Sequence, residues 1–134
     1  MKYMLDTNIC IYLIKQKPRE VLEKMKQIDR DDVCISSITY SELSYGIEKS
    51  AAVERNRIAL LLLLANLKIL NFDDYAALEY GKVRTELEKH GKPIGALDML
   101  IAAHAKAYDL TLVTNNTGEF SRVSGLKLDN WVNR

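Results

Sequence analysis

The chain has 134 residues, 48% of them hydrophobic and 28% charged, with a formal net charge of +1. That length suits one domain over residues 1–134 rather than two, and the apolar share supplies a real core, which excludes a disordered chain. A near-neutral balance excludes the uniformly basic surface of a general nucleic-acid binder, so any grip on nucleic acid must come from local charge.

In chain order, Tyr3–Leu5 reads as a short strand that stops at Asp6, and residues 9–15 read as a helix that ends near Pro18. Residues 19–28 carry helical spacing through Val21, Leu22, Met25 and Ile28. The polar run at 29–32 connects them to a second apolar strand, Val33–Ser36. Helices are predicted over 38–49 and 53–67, the second apolar nearly all round through IALLLLLA. Lys68–Leu70 predicts a third strand, and residues 75–89 a long amphipathic helix closed by Gly91 and Pro93. A further helix is predicted over 95–108, where Ala102, Ala103 and Ala105 permit close packing. Thr111–Val113 predicts a strand, TNNTGEF a polar loop, and 126–128 a last strand before Trp131. Short strands separated by helices imply parallel pairing with helices on both faces, an α/β sandwich whose chemistry sits beyond the carboxyl ends of the strands.

Cys10 and Cys34 each lie inside an apolar run, without a CxxC pair or a Cys/His cluster spaced for zinc, and read as buried free thiols in a reducing cytoplasm. No signal peptide is visible, and the most apolar window, 58–65, falls short of the about 20 residues that span a bilayer. The expected setting is soluble and cytoplasmic, with no membrane contact.

Three carboxylates stand at strand-to-helix positions. Asp6 alone suits a helix N-cap. Glu42 suits the acidic end of a capping box begun by Thr39. Asp98, in the first turn of its helix, suits the macrodipole. Taken as an ordered set they say more. The stretches MLDTN, SSITYSELSYG, GALDMLIAAHA and TLVTNN…EF, in that order and over essentially the whole chain, resemble the PIN-domain family of nucleases, and within it the VapC toxins of bacterial toxin–antitoxin pairs.

The resemblance implies a PIN-like three-layer α/β/α sandwich, with a central, mostly parallel sheet of four to five short strands and a helical hairpin to one side. It matches Asp6, Glu42 and Asp98 to the family's first three acidic positions. The fourth, a carboxylate in a T-x-D pattern, is held here by Asn116 in Thr114-Asn115-Asn116, and Glu119 stands three residues on as a replacement for the missing charge. It implies metal-dependent ribonuclease activity and a homodimer neutralised by a small VapB-type antitoxin, in a higher complex with the toxin. The RNA would be tRNA, with the anticodon stem-loop of initiator tRNA as the target.

Carboxylates gathered at one point repel, and a hard divalent cation removes the conflict, so Mg²⁺ or Mn²⁺ is expected rather than zinc. Asp6 and Asp98 are then the main metal ligands and Glu42 holds the attacking water. Thr7, Asn8, Thr114, Asn115, Asn116 and Glu119 would orient ligands and water around them. A negative pocket needs basic residues about it to hold RNA. The candidates are Lys15, Lys17 and Arg19 after the first helix, and Lys82, Arg84, Lys89 and Lys92 around the long one. The apolar RIALLLLLANL segment needs burial on more than one side, by the core on one and by a dimer or antitoxin contact on another. His104, inside an alanine-rich helix, reads as a packed or half-exposed side chain. Two rivals keep a similar topology: a catalytically weakened regulatory or RNA-binding module, and a receiver-like signalling domain with Asp73 or Asp74 as phosphate acceptor.

Overall fold

The structure is a computed structural model and describes residues 1–132. Its elements are β1 (Tyr3–Leu5), α1 (Thr7–Lys15), α2 (Arg19–Lys26), β2 (Val33–Ser36), α3 (Ser37–Glu48), α4 (Val53–Leu64), β3 (Lys68–Leu70), α5 (Asp74–Lys89), α6 (Ala96–Ala107), β4 (Thr111–Val113), α7 (Thr117–Phe120) and β5 (Leu128–Asp129). One 3-10 turn, Arg30–Asp32, leads into β2.

The strands form one sheet in the order β3-β2-β1-β4-β5, with every pairing parallel. Alternation along each strand builds two cores. Met4, Cys34 and Leu112 point to the face covered by α5 and α6, where Val83, Leu87, Met99, Ile101 and Ala102 meet them. Leu5, Val33, Ile35 and Val113 point to the other face, among Ile9, Leu13, Leu43, Leu60 and Leu63 of α1, α3 and α4. The result is the expected three-layer sandwich, and α3 with α4 makes the helical hairpin. Cys10 and Cys34 are free and buried; burial pushes the Cys34 thiol up to about 12 and the Cys10 thiol well above its ordinary value, so both are inert. No helix among the described residues is long and apolar enough to cross a membrane.

Three expectations change. The polar TNNTGEF run contains α7, because Phe120 is 1% exposed and its burial wraps the segment onto the sheet. The last strand starts two residues later than 126. Gly125, at φ +79, turns the chain there, and the first ladder bond runs from Leu112 N–H to the Lys127 carbonyl at 2.9 Å. Helix α3 is capped by Ser36, whose hydroxyl accepts from Ile38 N–H at 3.0 Å, so Thr39 lies buried inside the helix and makes no capping box with Glu42.

The strand order reverses beside β1: the connection from β1 leads to β2 on one side, and β4 enters on the other. Beyond the carboxyl ends of β1, β2 and β4 this leaves the crevice where open α/β sheets carry their ligands.

Candidate active site

Asp6 closes β1 and caps α1. Its Oδ1 accepts from Ile9 N–H at 2.9 Å, and the Thr114 hydroxyl, at the end of β4, donates to the same carboxylate. The side chain is 4% exposed. Burial raises its pKa above the ordinary carboxylate value, and the bonds from Thr114 and Ile9 oppose that rise. The cap and the site are therefore one residue: the helix holds the carboxylate still at the mouth of the sheet.

Glu42 lies on α3 and accepts a 2.6 Å bond from the Thr7 hydroxyl, so the first turn of α1 steers it. Asp98 sits in the first turn of α6. Burial first, then repulsion from Glu119, Glu42 and Asp6, holds its carboxyl up at about 6. Glu119, on α7, accepts from Asn116 Nδ2 at 2.9 Å and from Gly95 N–H at 3.1 Å. These bonds pull it below its ordinary value, and it also hydrogen-bonds Asp98. Below about pH 6 Asp98 carries the proton that Glu119 accepts. Gly95 is where the chain passes closest: a Cβ there would meet the Asp98 carboxylate at 3.3 Å.

Four carboxylates from four elements therefore face one another. Glu119 stands against Asp98, and the Asn116 amide, at the position of the departure, tethers it. Among the described residues no three His, Cys, Asp or Glu side chains are drawn together as a ready-made metal cage. The donors are all oxygens, a set suited to a hard divalent ion that keeps several waters.

The other sequence candidates divide. Thr7 and Thr114 touch the acids as described. Asn8 is exposed, and its backbone N–H bonds Asp6. The Asn115 side chain turns instead to the Tyr12 hydroxyl (3.4 Å) and Asn130 (3.2 Å). Lys15 ends α1, roughly 13 Å along that helix from Asp6, and Lys17 and Arg19 follow it, because α1 leads away from the strand ends. Arg84 is committed to Glu88 (3.1 Å) and the Tyr80 hydroxyl (3.0 Å). Lys82 is exposed on α5. Lys89 and Lys92 stand where α5 passes into the loop that feeds Gly95 and Asp98. Asp73 caps α5 through Ala76 N–H and accepts the Tyr108 hydroxyl, and Asp74 opens that helix.

Sequence reasoning missed Arg122. Its Nη1 donates to the Pro93 carbonyl at 3.1 Å, and its charge helps hold Glu119 down. The signal was its place one helical turn after Glu119, visible only once α7 is known to exist. His104 is fully buried, with Nδ1 2.8 Å from the Ser36 hydroxyl, which links α6 to the cap of α3.

Residues 3–126 match the PIN domain family. The tRNA(fMet)-specific endonuclease VapC of Shigella flexneri is 45% identical over 131 residues, 98% of each chain. Ribonuclease VapC2 of Haemophilus influenzae strain Rd is 48% identical over 132 residues, 98% of this chain and 99% of its own. The crystal structure of VapBC2 from Rickettsia felis, bound to a DNA fragment from their promoter, contains a chain that superposes with a TM-score of 0.93 at 43% identity, covering 98% of this chain and all of that one. With its sheet order, its acids at the strand ends and these likenesses over nearly its full length, the chain belongs to the PIN-domain family, among the VapC ribonucleases.

Proposed function

We propose that this protein is the toxin of a bacterial toxin–antitoxin pair and cuts RNA internally with the help of Mg²⁺ or Mn²⁺. The observation that carries the reading is the meeting of Asp6, Glu42, Asp98 and Glu119 beyond the strand ends, where burial first and then the charges of the other three raise the Asp98 carboxyl to about 6. A divalent cation there would lower the pKa of a water and take up charge on the phosphate. Asp6 and Asp98 would be its main ligands, the first immobilised by Ile9 N–H and Thr114. Glu42, with Oε1 occupied by Thr7, offers Oε2 to the attacking water and takes its proton. Asn116 and Gly95 keep the Glu119 charge against Asp98. Attack by water leaves a 5′-phosphate and does not use the 2′-hydroxyl.

The substrate we infer is tRNA, with the anticodon stem-loop of initiator tRNA as the target, since the Shigella flexneri relative is named for tRNA(fMet). Its setting is then the cytoplasm. The partner is a VapB-type antitoxin, and its contact falls on α4. Ile58, Leu61 and Leu62 are 58, 65 and 66% exposed there. A groove beside them is lined by Leu13, Leu22, Met25 and Leu63 of α1, α2 and α4. The apolar remainder of the surface serves a homodimer.

Mapping cleaved RNAs after brief expression, and cleavage by the purified chain in Mg²⁺ or in chelator, test the reading. Internal cuts in tRNA that need the cation are expected. Asp6→Asn or Asp98→Asn cutting at the parent rate in Mg²⁺ would overturn it.

A further inference from the structure

A cleft beside the acids is lined by Gly91, Lys92 and Pro93 of the α5–α6 loop and by Gly118, Ser121 and Arg122 of the α7 segment. Its only charged lining residues are cationic. Arg122 is pre-positioned: one guanidinium nitrogen is spent on the Pro93 carbonyl, and the side chain lines the opening. Lys92 is exposed and engages no carboxylate among the described residues. The backbone is open at Gly91 and Gly118, where an added Cβ would meet nothing within 4 Å, so a bulky anion can approach the main chain. The Ser121 hydroxyl donates to the Gly118 carbonyl at 3.0 Å, which keeps that carbonyl from facing an anion bare. Both walls continue directly into the acid cluster, through Pro93 to Gly95 on one side and through Gly118 to Glu119 on the other.

We propose that this cleft is a phosphate-binding subsite in which Lys92 and Arg122 clamp a backbone phosphate of the RNA next to the one being cut. The inference rests on the reading of the acids as a ribonuclease site and adds the contact that sets the strand across them. It also answers the charge problem: the chain has a net charge of only +1 and its reaction centre is negative, so attraction for RNA must be concentrated. A fork held by a backbone carbonyl loses less freedom on binding than a free surface lysine. A polyanion with regular charge spacing suits this placement better than an acidic peptide, because one bound phosphate at the cations registers the next at the acids.

The test is binding of a labelled short single-stranded oligoribonucleotide across a salt series, with Mg²⁺-dependent cleavage run in parallel. The proteins are the parent, Lys92→Gln, Lys92→Gln/Arg122→Gln, Arg122→Lys, and Lys127→Gln as a control, a lysine paired with Asp109. The double variant is expected to bind several-fold more weakly and to shed about 1.4 from the slope of log affinity against log salt, two contacts at ~0.7 each. It should raise KM for the oligoribonucleotide several-fold. Lys92→Gln, in an exposed loop, should shed about half of that, ~0.7 in slope, and Arg122→Lys should keep the slope but lose affinity. Thermal melts establish that each variant is folded. A double variant that binds and salts out like the parent, or a Lys127→Gln control that loses as much, overturns the subsite. So does RNA binding that survives while binding of the protein partner is lost, which would make the cleft a peptide site. A parent that binds RNA through Lys92 and Arg122 but never cuts it would sink the ribonuclease reading alone.

Discussion

The carboxylate at position 98 sets the pH behaviour of the site. Asp98 holds its proton to about 6 in the folded chain against an ordinary 3.8, so the folded state binds that proton more tightly than the unfolded one. The stability it contributes is complete below about 3.8 and is lost as pH rises through about 6. Metal-free protein should therefore melt at a falling temperature across that window, and Asp98→Asn should flatten the decline. Mg²⁺ should raise the melting temperature more above the window than below it, because the cation competes with the proton for the same oxygens. Melts at several pH values, with and without the ion, check both. Asp6 has two duties that substitution separates. Asparagine still caps α1 and removes a repelled charge, so Asp6→Asn should lose cleavage with stability kept. Asp6→Ala should lose cleavage and about 1 kcal/mol of stability with it, read by denaturant unfolding. Thr7→Val leaves the acids in place but frees Glu42, and kcat should fall roughly 10–100-fold with little change in melting.

Among the elements, α6 and α4 show how a helix can serve two surfaces. Helix α6 puts Ile101, Ala102, Ala103 and Ala105 in the core at 0% exposure and Asp98 at the mouth. Truncating Ile101 to Ala removes packing that fixes the height of Asp98, and should cost about 2–5 kcal/mol of unfolding free energy. Helix α4 buries Leu60 and Leu63 and presents Leu61 and Leu62 to solvent, so an apolar face is left over after the core is satisfied. Leu61→Glu/Leu62→Glu should fold as the parent does and cut RNA as it does, yet lose affinity for the antitoxin; co-purification of the pair reads the difference. Helix α7 is the element that pattern reading missed. Its four residues are too few to show a period, and Phe120 supplies the burial that makes them a helix.

Over the whole molecule, the parallel sheet does what no local feature could: it brings together positions 6, 42, 98 and 119 by placing the ends of β1, β2 and β4 side by side. The sequence by itself determined the order of the strands and of every helix but α7, and set three carboxylates at element junctions, because strand alternation, helical spacing and junction carboxylates are local patterns. It also determined the two buried thiols and the apolar excess of α4. Only the tertiary structure decided that Glu119 stands against Asp98 with Asn116 as its tether, that Glu42 answers to Thr7 rather than to a cap, that Asn115 looks away, and that Arg122 lies beside the acids. Each of these depends on contacts between segments far apart in the chain, whose distances are set by how two cores pack on one sheet and not by any property of the segments alone.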